Sequence, residues 1–315
     1  QNRMGIGDMV IFLPFIEAIS KKFGVPVSIL VKKNSKATQF LNINTSIDQI
    51  IILDRGNKVK NGRHDGIIGF YNLTNDLKKY NFDKIFIFNS SLRFNLIARA
   101  ARIKKIYQYP LFRKKNQHII DAAKNFIKKE LNLEVESDPK ILVGDQLVKN
   151  SKSNYNINNE EKNILLGIGG SGPTKRVPSK IFIDFMNLVT QKYKCKFFLA
   201  TGKNIEEQKI LHEILNTEYK NKCYALDNLS LNEILPVIKN CDISICNDSS
   251  FSHLSSGLGI KTIVLMTDTP LLYGSYSPRM YPIIPDGEST VTHNTLGKNK
   301  INPNRIFEKL KYIFD

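Results

Sequence analysis

Residue types that build many metal and redox sites are scarce in this sequence. Its 315 residues include four cysteines, five histidines and no tryptophan. The cysteines form no Cys-x-x-Cys pair, and their spacing matches no zinc site. We therefore expect reduced, buried thiols, as is usual in the cytosol.

Several catalytic motifs are also absent. The chain has no Gly-Lys-Ser/Thr of a Walker A loop and no Gly-x-Ser-x-Gly nucleophile elbow. It has no Asp-x-Asp triplet, which argues against a divalent metal held by paired carboxylates. We expect no metal site, so lysine, hydroxyl groups and helix N-termini would have to neutralise a phosphate ligand.

Long apolar runs are missing as well. None approaches the roughly 20 residues that a membrane-spanning helix needs. The longest candidate, residues 9–19, is interrupted by Pro14 and Glu17 and lacks the cleavage-site pattern of a signal peptide.

Negative charge is scarce relative to positive charge. The chain has 46 Lys and Arg but 29 Asp and Glu, for a formal net charge of +17. This excess favours anionic partners such as phospholipid headgroups, phosphorylated glycans or nucleic acid. No basic run is long enough, or rich enough in aromatic residues, to indicate nucleic acid by itself.

The sequence does contain a regular alternation of apolar strands and amphipathic helices, which predicts a parallel α/β fold. The predicted strands are 27–31, 47–53, 85–88 and 105–108 in the first half, and 164–168, 196–200, 223–226, 243–246 and 262–266 in the second. The length favours two domains. The polar residues 144–162 indicate the linker region, so we predict domains at 1–150 and 151–315. The last helix, 303–314, could pack back on the first domain.

The most informative stretch is residues 247–259, NDSSFSHLSSGLG, which lies between two predicted strands. It places Asp248, Ser249, Ser250 and His253 where a strand meets a helix N-terminus. Ligands bind at this edge of open α/β sheets, and a helix N-terminus favours an anion. The alternative is an Asp/Ser helix cap beside a buried histidine.

A second polar turn, GGSGPTKRVP, begins at residue 169 after another predicted strand. Gly170 and Ser171 offer a backbone amide and a hydroxyl, and Lys175 offers a charge, which together suit a diphosphate. Because both loops follow strands of one parallel sheet, they could meet around one ligand. The alternative is an exposed basic turn. Glu206 follows a third strand and could accept hydrogen bonds from a ribose, although a solvated helix charge is the commoner role of such a residue.

Near the N-terminus, Met-Gly-Ile-Gly-Asp at residues 4–8 precedes an apolar, helix-compatible stretch. The Gly-x-Gly turn lets the backbone approach a ligand closely, but the third glycine of a dinucleotide fingerprint is absent. Asp8 either caps the helix or acts as a general base in a cleft. A doubly wound domain would place a strand before this turn, so we expect further residues before Gln1.

Three motifs, in this order, make the chain similar to the bacterial heptosyltransferases of glycosyltransferase family 9, which build the inner core of lipopolysaccharide. They are MGIGDMVIFLPFIEAI from Met4, GGSGPTKRVP from Gly169 and NDSSFSHLSSGLGIKTIVL from Asn247. A weaker match, FDKIFIFNSSLRFNLIARAARIKKIYQY, begins at Phe82. The likeness covers nearly the whole chain.

This resemblance implies a GT-B fold, in which two Rossmann-like domains have parallel sheets that face a central cleft. It implies an inverting, metal-independent transfer without a cofactor, from an ADP-sugar on the second domain, most often ADP-heptose. The acceptor on the first domain would be an anionic glycolipid. The protein would then be cytoplasmic, with peripheral contact at the inner face of the membrane and no nucleic acid partner.

The resemblance also implies roles for individual residues. Asp8 would be the general base. Gly170, Ser171 and Lys175 would contact the diphosphate, Glu206 the nucleoside, and Asp248, Ser249, Ser250 and His253 would line the donor site near the phosphates and sugar.

Some positions depart from the family pattern. Ser250 replaces the usual glycine, Val177 stands where an aromatic residue is common, and residues 266–277 follow the Gly-Pro-Thr-Asp-Pro pattern only loosely. Two alternatives therefore stay open. One is a GT-B transferase that uses another nucleotide sugar, and the other is a non-catalytic protein that binds acidic glycans or nucleic acid.

Overall fold

The computed structural model describes residues 5–56, 61–111 and 118–315. The chain divides into two compact units, with Gln1–Thr38 and Thr45–Glu136 in the first and Gln39–Asn44 and Ser137–Asp315 in the second. The short segment belongs to the second unit, where the Leu231 N–H donates to the Gln39 side-chain oxygen at 3.3 Å.

The first unit consists of helices and parallel strand pairs. In chain order its elements are α1 (Ile6–Phe23), β1 (Val27–Lys32), β2 (Ile47–Leu53), α2 (Gly66–Lys78), β3 (Lys84–Ile87), α3 (Leu92–Ala100), β4 (Lys105–Gln108) and α4 (Ile119–Leu131). β1 pairs with β2, and β3 pairs with β4. The strand that was expected before the glycine turn would lie outside the described residues.

Helix α1 forms a large part of the core of the first unit. Its residues 9–15 are all buried, and Gly24 ends the helix in the left-handed conformation, with φ of 68°, that glycine adopts without strain. A cavity of about 410 Å³ is lined by α1 together with β1 and β3.

The second unit contains a six-stranded parallel sheet. Its elements are α5 (Asp145–Asn154), β5 (Lys162–Gly167), α6 (Ser179–Lys192), β6 (Cys195–Ala200), α7 (Ile205–Leu215), β7 (Cys223–Ala225), α8 (Leu231–Lys239), β8 (Ile243–Asn247), α9 (Ser250–Gly257), β9 (Thr262–Leu265), β10 (Met280–Ile283) and α10 (Pro303–Phe314). The strand order is β10-β9-β8-β5-β6-β7. The chain thus leaves β5 towards one edge and returns at β8 towards the other, which makes β5 and β8 the topological switch point.

The central strands are apolar because both faces of the sheet are covered. β6 and β8 are buried at every position, and β5 is buried at every position but its first. Such continuous apolar runs are typical of parallel strands with helices on both sides. Helix α10 places Ile306, Leu310 and Ile313 in this same core, so its apolar face packs within the second unit.

Two elements differ from the expectation drawn from the sequence. The polar residues 144–162 hold helix α5, which packs on α8 partly through polar contacts; for example, the Asn240 amide donates to the Val148 carbonyl at 2.9 Å. Strand β10 was not predicted, because Pro282 interrupts its apolar pattern. Proline is tolerated there because β10 is an edge strand, where one side of the backbone needs no ladder hydrogen bond.

No helix in the described part of the chain combines the length and the apolar character that crossing a bilayer requires.

Candidate functional site

The two ligand loops predicted from the sequence both begin at the switch point. β5 and β8 are neighbours, and Gly167 pairs with Cys246. A Cβ atom at Gly167 would lie 2.6 Å from the Cys246 sulfur, so a side chain there would force the strand ends apart. The loop after β5 (residues 168–178) and the turn from β8 into α9 (residues 248–249) therefore leave the sheet side by side.

Asn247, the last residue of β8, is hydrogen-bonded to the loop after β5. It is fully buried, and its amide donates to the Ile168 carbonyl at 2.8 Å and to the Gly169 carbonyl at 3.3 Å. The Val177 N–H donates back to its side-chain oxygen at 3.4 Å. Both ends of the 168–178 loop are thus held by one side chain.

Lys175 and Asp248 form an ion pair across the two loops. Lys175 Nζ lies 2.7 Å from Asp248 Oδ2, which also accepts a hydrogen bond from the Thr269 hydroxyl. The Asp248 side chain is only 4% exposed, whereas that of Lys175 is 24% exposed. Because an ammonium has three donors, Lys175 keeps donor capacity on its solvent side.

Asp248 is an anion at neutral pH. Burial, the largest influence, raises the pKa of this carboxyl. The charge of Lys175 and the hydrogen bonds from Lys175 and Thr269 outweigh burial, so the pKa lies below its ordinary value. The buried carboxylate thereby fixes the lysine at the edge of the sheet.

His253, on α9, is a neutral imidazole. Burial lowers its pKa to about 4; the positive charge of Lys175 adds to this effect, and Asp248 opposes it. His253 Nδ1 lies 2.9 Å from the Tyr276 hydroxyl, and the two rings stack with centroids 5.6 Å apart. Burial raises the pKa of Tyr276, so its hydroxyl keeps its proton and can donate to Nδ1. The imidazole proton would then be on Nε2.

The N-terminus of α9 adds donors to this edge. Ser249 precedes the helix, and its hydroxyl oxygen is buried with no hydrogen-bond partner among the described residues. Ser250 is the first helical residue and is half-buried. A helix N-terminus with an unused hydroxyl beside a lysine is suited to an anionic ligand.

The glycine turn after β5 is held by a glutamate that the sequence did not single out. The Gly170 N–H donates to Glu207 Oε1 at 2.6 Å, and Glu207 is only 7% exposed. The Asn204 side chain caps α7 by accepting from the Glu207 N–H at 3.0 Å. A Cβ atom at Gly202 would lie 2.3 Å from Glu207 Oε2, so glycine is needed beside this carboxylate.

Glu206 and Ser171 occupy more open positions. The Glu206 side chain is 75% exposed and forms an ion pair with Arg176 at 3.6 Å. Arg176 also donates to the Gly170 carbonyl at 2.9 Å. Ser171 is exposed on the same turn. Their expected contacts with a ligand therefore stay predictions.

Asp8 lies in the first unit, in the first turn of α1. Its Oδ2 accepts a hydrogen bond from the Gly5 N–H at 3.0 Å, and the residue is half-buried. This contact is the helix-capping geometry that the sequence offered as one alternative. Its catalytic role stays a prediction.

The second unit thus brings residues from distant parts of its sequence together at one edge of the sheet, as a candidate ligand site. Of the predicted residues, Lys175, Asp248, Ser249 and His253 lie together, and Asn247, Glu207, Thr269 and Tyr276 support them. Asn247 could have been suspected, because it directly follows a predicted strand and precedes Asp248. Nothing in the sequence distinguishes Tyr276.

In the described residues, no group of three or more His, Cys, Asp and Glu side chains is arranged to hold a metal ion. The chemistry of the edge is that of an anion site with one lysine, hydroxyl groups and backbone amides.

The lowered pKa of His253 predicts a pH dependence of stability. The unfolded chain binds a proton at this residue below pH 6.5, whereas the folded chain does so only near pH 4, so stability falls as the pH drops through this window. Between pH 7.5 and 5, protonation of this residue should lower the free energy of unfolding by about 2 kcal/mol.

The variant His253→Gln should not show this decrease in the free energy of unfolding. The control His212→Gln, at an exposed position, should still show it. Urea unfolding at both pH values measures the difference; identical pH dependence in wild type and His253→Gln would contradict the assignment.

Comparison with known proteins identifies a family that this chain matches. The family model described as glycosyltransferase family 9 (heptosyltransferase) matches residues 70–289. Lipopolysaccharide heptosyltransferase 1 of Campylobacter coli is 26% identical over 142 residues, which are 44% of this chain and 41% of that protein. The match thus spans less than half the length of that relative.

Solved structures share the fold at low sequence identity. The glycosyl transferase family 9 protein of Veillonella parvula DSM 2008 matches with a TM-score of 0.77 at 17% identity, over 98% of this chain and 94% of that one. The E. coli heptosyltransferase WaaC with ADP matches with a TM-score of 0.69 at 13% identity, over 98% and 97% of the two chains. These matches confirm the predicted GT-B fold class. Because the family model covers more than two thirds of the sequence, the chain belongs to glycosyltransferase family 9, the heptosyltransferase family.

Proposed function

We propose that this chain is an inverting glycosyltransferase that moves heptose from ADP-heptose to a lipopolysaccharide core or a related glycan. The observation that carries the proposal is the Lys175–Asp248 pair, at 2.7 Å, beside the N-terminus of α9 at the switch point of the sheet. Such a position suits the diphosphate of a nucleotide sugar. Family membership and the ADP in the E. coli WaaC structure support an ADP-linked donor.

In this proposal the second unit holds the donor and stabilises its leaving group. As the bond to the sugar breaks, negative charge grows on the diphosphate. Lys175 and the amides at the start of α9 donate to it, and the Ser249 hydroxyl is available as a further donor. Donors that are already in place need no reorganisation during the reaction, and each is typically worth a few kcal/mol.

The supporting residues take distinct parts in this mechanism. Neutral His253, with its proton on Nε2, would donate to the donor's phosphate or sugar rather than accept a proton. Gly170 and Ser171 would approach the diphosphate while Glu207 holds the turn in shape. Glu206, whose side chain is 75% exposed, would accept hydrogen bonds from the nucleoside.

The first unit would supply the acceptor site and the base. Asp8 would take the proton from the acceptor hydroxyl as its oxygen attacks the anomeric carbon, in a direct displacement that inverts the configuration. This role rests on the resemblance of the MGIGD motif. The net charge of +17 suits an acceptor that carries carboxylates and phosphates, and peripheral association with the inner face of the membrane.

A donor screen tests the proposal against its alternatives. With a lipopolysaccharide-core acceptor, we expect product from ADP-heptose and at least about 10-fold less from GDP-, UDP- and CMP-sugars, because a site matched to one base leaves polar groups unpaired when another base is bound. A preference for one of the other donors would make the chain a different GT-B transferase. Saturable glycan binding without product from any donor would make it a binding protein.

Asp8→Asn should lower transfer by roughly 10²–10⁴-fold while ADP binds as in the wild type, because only the proton acceptor is lost. The matched control is Asp121→Asn, which removes an exposed carboxylate from the first turn of α4. It should lose no activity, although both variants lose the interaction with a helix dipole. Transfer assays and calorimetric ADP titrations separate the two effects. Wild-type turnover in Asp8→Asn would remove this residue from the mechanism.

A further inference from the structure

Helices α2 and α3 of the first unit expose large apolar side chains that the core does not use. On α2, Ile67 is 80% exposed, Ile68 76% and Tyr71 63%; on α3, Leu92 is 44% exposed and Leu96 45%. We call these five residues the α2–α3 patch. On each helix their spacing, i, i+1, i+4 and i, i+4, places them on one face.

The two helices present the patch as parts of one packed pair. Leu73 and Leu77 of α2 share a buried apolar cluster with Ile97 and Ala98 of α3. The opposite sides of the helices therefore face away from the core.

Arg93 connects the two helices next to the patch. It follows Leu92 on α3, and its guanidinium lies 5.9 Å from the centre of the Phe70 ring on α2. The Phe70 ring in turn packs edge to face on Tyr71, with centroids 5.6 Å apart. A half-buried cation thus lies between the two helices that carry the patch.

The segment that carries the patch is rich in basic residues. Residues 61–104 contain eight Lys and Arg but three Asp and no Glu. Each of the three aspartates is ion-paired: Asp65 with Arg55, Asp76 with Arg63 and Asp83 with Lys104. The uncompensated charge of this segment is therefore positive.

Exposed apolar side chains on a basic segment are suited to binding an anionic bilayer. An anionic bilayer attracts the basic residues, and its headgroup region accepts aliphatic side chains and tyrosine. Nucleic acid would favour stacking aromatic residues over isoleucine and leucine. We propose that the α2–α3 patch docks the chain on an anionic bilayer, with Ile67, Ile68 and Tyr71 inserted among the headgroups. This deepens the proposed function, because an enzyme with a glycolipid acceptor must meet it at a bilayer.

Vesicle binding tests the docking surface. The variant Ile67→Ser/Ile68→Ser/Tyr71→Ser should bind vesicles of phosphatidylglycerol and phosphatidylethanolamine at least about 10-fold more weakly than the wild type, because the side chains that would insert are lost. The matched control, Leu147→Ser/Ile205→Ser/Tyr312→Ser, removes two aliphatic residues and one tyrosine that are exposed in the second unit. It should bind as the wild type does. Vesicles of phosphatidylcholine alone should bind all three proteins weakly.

The absence of tryptophan allows a direct reporter of insertion. In Tyr71→Trp, emission should shift to the blue when anionic vesicles are added, whereas in Tyr312→Trp it should not. Equal vesicle binding by the patch variant and its control, or no shift for Tyr71→Trp, would overturn the proposal. A patch variant that changes the oligomeric state in sedimentation, with vesicle binding unaltered, would also overturn it, since the patch would then join copies of the chain.

These measurements are independent of transfer. Vesicle binding through the patch without product from any donor would keep the docking surface and remove the proposed function. Transfer to a water-soluble acceptor, with no difference in vesicle binding between the variants, would keep the proposed function and remove the docking surface.

Discussion

The buried carboxylate of Asp248 is the constraint on which the rest of the second unit's site depends. It lies directly after β8 and is almost fully shielded from water, and it stays charged because Lys175 and the Thr269 hydroxyl donate to it. A buried charge without a partner would cost several kcal/mol. The loop that carries Lys175 must therefore close over β8, and this brings a cation to the sheet edge where the dipole of α9 also favours an anion.

The surrounding residues fix the conformation of the loop that carries Lys175. Asn247 fastens both ends of the loop, Glu207 holds its first glycines, and Gly167 lets β5 and β8 end in close contact. His253 is kept neutral by the same burial that encloses Asp248. The site therefore provides donors for a diphosphate, among them the ammonium group of Lys175, while the buried carboxylates of Asp248 and Glu207 accept hydrogen bonds from the protein itself. This distribution of charge suits the departure of an anionic leaving group better than proton abstraction, which the proposal assigns to Asp8 in the first unit.

Sequence patterns predicted most of this edge because parallel sheets obey simple rules. Continuous apolar runs identified β5, β6 and β8, and polar residues directly after such strands must lie at one edge. Lys175, Asp248 and His253 were found in this way. The direction of a side chain on a helix was harder to predict from the sequence. Glu206 and Glu207 are adjacent and chemically alike, yet Glu206 is exposed whereas Glu207 is buried against the glycine turn. Tyr276 lies in a loop whose path depends on tertiary packing, and β10 and α5 lack the apolar period that identifies an element in isolation.

The account can be tested most directly by calorimetric titration of ADP into Lys175→Met, compared with Lys180→Met, which removes an exposed lysine five residues further on. The double variant Lys175→Met/Asp248→Asn removes the unpaired buried charge, so it separates loss of binding from loss of stability. Because a charge-assisted hydrogen bond to phosphate contributes about 1.5–3 kcal/mol, ADP affinity should fall about 10- to 100-fold in both Lys175 variants and stay unchanged in Lys180→Met. Unchanged affinity in the folded double variant would contradict the claim that this edge of the sheet binds the diphosphate.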